Sequence, residues 1–98
     1  MTPEGEIKAH LKRRVAETGG EFRNLTWNGR RGGPDCFVFW KFPVFAFVEV
    51  KTYRGRLSKA QEREIACLGK SGFHVSVVWS KEDVDELISL LTHSLKCI

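Results

Sequence analysis

Three residues carry the clearest chemistry in this sequence: Asp35, which follows Gly33-Pro34, and the Glu49 and Lys51 of Val48-Glu49-Val50-Lys51. Two carboxylates that reach one point, with no His or Cys at ligand spacing, make an oxygen donor set that suits a hard cation, Mg²⁺ or Mn²⁺, rather than zinc. Such an ion polarises a phosphoryl oxygen, lowers the pKa of a bound water and stabilises the leaving oxygen. A lysine alongside holds the attacking water or neutralises the transition state, and is a base only where burial depresses its pKa. On a basic surface this chemistry is phosphodiester hydrolysis.

Three elements must bring these residues together. Residues 35–40 and 45–51 are rich in Phe and Val and flank Pro43, which predicts a β-hairpin turning through Lys41 to Pro43. A turn centred on residue 42 sets Asp35 opposite Glu49, with Lys51 leaving the same face two residues on and Phe37, Phe39, Phe45 and Phe47 beside them. Neither strand alternates cleanly, so both faces are expected to be covered by helices. Upstream, Thr2 as N-cap, Pro3 at the first helical position and the Ile7, Leu11, Val15 stripe predict a helix over residues 3–18, stopped by Gly19-Gly20. Glu4 falls about 20° from the centre of that stripe and so becomes a candidate third carboxylate, while Glu6 points away. Glu4 has an equally simple reading as a favourable charge at the helix N-terminus.

The rest of the chain completes one α/β domain over residues 1–98. Residues 21–28 read as a first strand, with Leu25 and Trp27 on one face, and Gly29-Arg30-Arg31-Gly32-Gly33-Pro34 as a loop. A basic loop spans residues 53–57. Ser58-Lys59-Ala60-Gln61 is a capping box that opens a helix through Ala60, Ile65 and Leu68 toward Gly72. Residues 73–79 form an apolar strand, and Ser80 caps a last helix through Val84, Leu87, Ile88 and Leu91. The order α-β-β-β-α-β-α places a crossover helix before the fourth strand and predicts a mixed sheet.

Composition bounds the function. With 98 residues the chain has room for one core, and its 42% hydrophobic and 29% charged residues are those of a globular protein. No apolar run approaches the ~18 residues of a membrane span, and the first six residues carry no basic or apolar leader pattern. Cys36, Cys67 and Cys97 are odd in number and scattered, which speaks against a disulfide framework and for a reducing cytoplasm. Sixteen Lys+Arg against twelve Asp+Glu leave a formal charge of +4. The basic residues bunch at Lys12-Arg13-Arg14, at Arg30-Arg31 and around Arg54, Arg56 and Lys59, with Arg63 close behind, so a nucleic-acid phosphate backbone is the expected partner. Arg30 and Arg31 are read as phosphate contacts, a solvated loop being the plainer alternative. The apolar tail of Leu90, Leu91, Leu95, Cys97 and Ile98 either closes the core or joins a second subunit.

Gly33-Pro34-Asp35 followed by Val48-Glu49-Val50-Lys51 resembles the PD-(D/E)xK nuclease motif. With Arg30-Arg31-Gly32 before it, Gly55-Arg56-Leu57-Ser58 and Gln61 after it, and the Val-Val-Trp-Ser strand end, the chain is similar to the VRR-Nuc family in its stand-alone, phage-type form. The resemblance spans roughly residues 4–88. It implies a restriction-endonuclease-like αβββαβ core, with a mixed central sheet flanked by helices and an extra C-terminal helix. It further implies metal-dependent cutting of branched or flapped DNA, including four-way (Holliday) junctions, by a homodimer in the cytoplasm of a bacterial or phage-infected cell. The family pattern falls on Glu4, Asp35, Glu49, Lys51 and Gln61, with the Val50 carbonyl as a further metal ligand. Read from the residues alone, Gln61 has the simpler task of bonding the Ser58 backbone N–H. A non-catalytic DNA-binding module that keeps the fold is the rival reading.

Overall fold

A computed structural model describes residues 2–52 and 55–96. Thr2 accepts the Gly5 N–H at 3.0 Å and starts α1 (Pro3–Glu17), which buries Ile7, Leu11 and Val15. Three antiparallel strands follow: β1 (Glu21–Asn24), β2 (Cys36–Phe39) and β3 (Phe45–Val50). Helix α2 (Lys59–Lys70) then crosses to β4 (Val75–Val78), which lies parallel to β3, and α3 (Lys81–Lys96) ends the described chain. The sheet order β1-β2-β3-β4 and the two terminal helices are those of the expected restriction-endonuclease-like architecture.

Helices α1 and α3 lie on one face of the sheet. Their apolar stripes close over Cys36, Val38, Ala46, Val48, Val50 and Val78, and with Trp40 these residues form the buried core. A polar seam joins the two helices, with His10 and Arg14 both bonded to Asp85 at 2.8 and 3.1 Å. The opposite face is different. Phe37, Phe39, Phe45 and Phe47 pack against one another with ring centroids 4.9–5.8 Å apart, and Trp27 and Phe73 join them from the flanks. These rings are half-buried rather than sealed beneath a helix. The expectation of helices on both faces is therefore met unequally: α1 and α3 cover one face, while on the other α2 reaches the sheet at Glu49 and β4 and aromatic stacking covers the rest.

The hairpin register is the expected one. Cys36 pairs with Val48 and Phe39 with Phe45, so Asp35, one residue ahead of β2, comes level with Glu49. Elsewhere the strands are shorter than their composition suggests. Strand β1 ends at Asn24, because Trp27 turns out of the ladder and donates its indole N–H to the Pro34 carbonyl at 2.8 Å. Strand β4 covers only Val75–Val78, since the N–H of Phe73 is taken by the end of α2 at Leu68 and that of Trp79 by the Asp83 carboxylate. Among the described residues no helix is long and apolar enough to cross a membrane.

Candidate active site

The site lies at the open end of the hairpin, on the aromatic face. Glu49 is 2% exposed. Its Oε2 accepts from Gln61 Nε2 at 3.0 Å and faces Lys51 Nζ at 3.7 Å, while Oε1 is buried with no hydrogen-bond partner. Burial first, and then the negative charge of Asp35, push the Glu49 carboxyl up to about 7, with Lys51 pulling the other way. Asp35 is half-buried, and its Oδ2 accepts the Val50 N–H at 3.2 Å. Phe47 and Lys51 direct their N–H groups to His74 and Val78, toward β4. By strand alternation both backbone polar groups of Val50 leave the other edge, toward Asp35.

Gln61 serves two residues at once. Its Oε1 accepts the Ser58 N–H at 2.8 Å while its backbone N–H donates to Ser58 Oγ at 3.1 Å, the capping box expected of the sequence. Its Nε2 remains free to orient Glu49. The helix cap thus sets the rotamer of a site residue.

A divalent cation fits these groups. A dry, unbonded carboxylate oxygen beside a second carboxylate is an arrangement that a cation relieves. The nearby thiol is no competitor: burial pushes Cys36 up to about 12, and its S–H is turned to the Val48 carbonyl. Glu4 stands outside the pair. It is exposed, in the first turn of α1, and lines a groove with Lys8 and Thr52. Among the described residues, no three His, Cys, Asp or Glu side chains gather closely enough to hold a metal by themselves.

Of the basic residues expected to face DNA, Arg31, Arg56 and Lys59 are exposed, as is Arg63. Arg54 lies outside the described residues. Arg30 is engaged elsewhere. Its Nε and Nη2 grip the Glu64 carboxylate at 2.8 and 3.1 Å. Glu64 escaped the reading of the sequence; its one available signal was its spacing, one helical turn beyond Gln61 and four residues beyond Ala60.

A central antiparallel hairpin, a parallel fourth strand and an acidic pair with a lysine at one strand end define a nuclease-type α/β domain. The VRR-NUC domain family matches residues 3–82, and the chain belongs to that family. A solved structure described as a VRR_NUC domain superposes with a TM-score of 0.85 at 38% identity, covering 91% of this chain and 97% of its own. No curated protein matches the sequence.

Proposed function

We propose that this domain is a Mg²⁺- or Mn²⁺-dependent endodeoxyribonuclease that cuts branched or flapped DNA, four-way junctions in particular, as a homodimer. The observation that carries this reading is Glu49: buried, facing Asp35, with one oxygen lacking any donor. Asp35 and Glu49 would hold the ion, with the Val50 carbonyl as a further ligand and Glu4 acting from the rim through water. The ion, when bound, would activate water and stabilise the leaving oxygen. Gln61 keeps the Glu49 carboxylate turned toward the site, and Lys51 holds the attacking water or offsets charge on the phosphate. Arg31, Arg56 and Lys59 grip the DNA backbone without reading bases, which suits recognition by shape; Arg54 is assigned with them from the sequence alone.

The exposed large apolar side chains support the homodimer. Phe42, Phe73 and Leu90 are 84%, 43% and 64% exposed. Phe42 and Leu90 line a groove of about 520 Å³ between the hairpin turn and α3, at the far end of the hairpin from Glu49. Phe42 projects beside a hollow lined by Val44, Leu91 and Leu95, and a twofold axis would seat each knob in the partner's hollow. Free thiols at Cys36 and Cys67 accord with a reducing, cytoplasmic setting.

The test is incubation of the purified protein with a labelled four-way junction and Mn²⁺, with and without EDTA, beside Asp35→Ala. Cleavage that both EDTA and the substitution abolish is the expected result. Salt-sensitive binding without any product would leave the non-catalytic module in place.

A further inference from the structure

Helix α2 supplies Gln61 to the site, yet its apolar side chains Ala60, Ile65 and Leu68 are only half-buried. Its one buried residue is Glu64, at 6% exposure. A carboxylate so placed needs a partner, and Arg30 provides the two-pronged pairing described above, the geometry that arginine and carboxylate share best. The pairing holds the Glu64 carboxyl below its ordinary range and raises the Arg30 guanidinium above its own.

Arg30 belongs to the loop of residues 25–35, which ends in Asp35. That loop is stitched to itself: the Leu25 N–H donates to the Asp35 carbonyl at 2.9 Å, and the Trp27 indole donates to Pro34 at 2.8 Å. At its middle, Gly32 (φ +83°) lies so close to the Ala60 carbonyl and the Gln61 N–H that a Cβ would overlap them. One side of α2 therefore makes three meetings in succession: Ala60 with Gly32, Gln61 with Glu49, and Glu64 with Arg30.

We propose that the Arg30–Glu64 pair is a latch that fixes the loop bearing Asp35 against the helix bearing Gln61, making both residues positioning residues for the metal site. The proposal rests on the nuclease reading but assigns parts to two residues that bond to neither Asp35 nor Glu49. Opening the latch lets the loop and the helix separate, so Gln61 releases Glu49 while Asp35 loses its fixed distance from it. Arg31 and Arg63, which line the same hollow, remain available to phosphate.

The test uses Arg30→Lys, which keeps the charge but not the fork, and Glu64→Gln, which keeps the shape but not the charge. Two quantities are read well below the thermal midpoint of each variant: Mn²⁺ affinity by calorimetry, and hydrogen exchange of the Trp27 indole N–H by NMR. Both variants are expected to bind Mn²⁺ about tenfold more weakly or worse, the usual range for losing a group that orients a ligand, and to exchange the Trp27 proton faster. If Glu64→Gln does not fold, Arg30→Lys carries the test, since Arg30 is exposed at the surface. Wild-type values for either quantity overturn the latch. If the wild-type protein itself takes up no Mn²⁺, the nuclease reading fails instead, and Trp27 exchange alone decides the latch.

Discussion

Glu49 holds the unbalanced charge of this molecule. One of its oxygens has two donors within reach and the other has none, with Asp35 adding a second negative charge nearby. The folded protein therefore keeps the Glu49 proton up to about pH 7, whereas an unfolded chain releases it near 4.5. Through this group, stability is greatest below pH 4.5 and is lost as pH rises toward 7, by up to about 3 kcal/mol. Urea melts in EDTA between pH 4 and 8 check this: Glu49→Gln is expected to gain stability over wild type at the alkaline end and to match it at the acid end. The same variant is expected to lose cleavage. A cation reverses the balance, so Mn²⁺ binding at pH 6 should release a proton, visible as a dependence of the calorimetric heat on buffer. At this scale the sequence was readable where spacing alone decides a position, as for Asp35, Glu49 and Lys51. For Glu4 a helical wheel gives the direction but not the distance to the acidic pair.

Among the elements, α2 joins secondary structure to chemistry most directly. Ser58 and Gln61 form one capping box, but only Gln61 also touches Glu49. Ser58→Ala removes the side-chain half of the cap and should cost about 1 kcal/mol in stability with cleavage largely kept. Gln61→Ala should cost a similar amount and also lower cleavage about tenfold or more. Chemical denaturation and single-turnover rates on the same samples separate the two effects. The capping box was visible in the sequence because it is local, as were all three helix starts and the hairpin register. The early end of β1 was not, because it depends on Trp27 finding Pro34 across a loop. Nor was Glu64, whose partner lies 34 residues away.

For the whole molecule, charge and apolar surface make separate predictions. DNA affinity should fall steeply with salt, and each of Arg31→Gln, Arg56→Gln and Lys59→Gln should reduce the log–log slope by about one. Fluorescence anisotropy on a junction across a salt series measures this directly. Self-association should depend on Phe42 and Leu90. Phe42→Asp and Leu90→Asp are expected to shift sedimentation from dimer to monomer with little change in folding, because both side chains are exposed. Paired cuts on the junction should then give way to single nicks. The two-layer division of the sheet has a practical consequence as well. The acidic pair, the lysine and the glutamine that orients them all fall between residues 35 and 61, on the aromatic side, whereas the first and last helices pack on the reverse. A module fused after α3 therefore stays off the cutting face and needs only to leave Leu90 open, whereas one fused ahead of α1 sits beside Glu4.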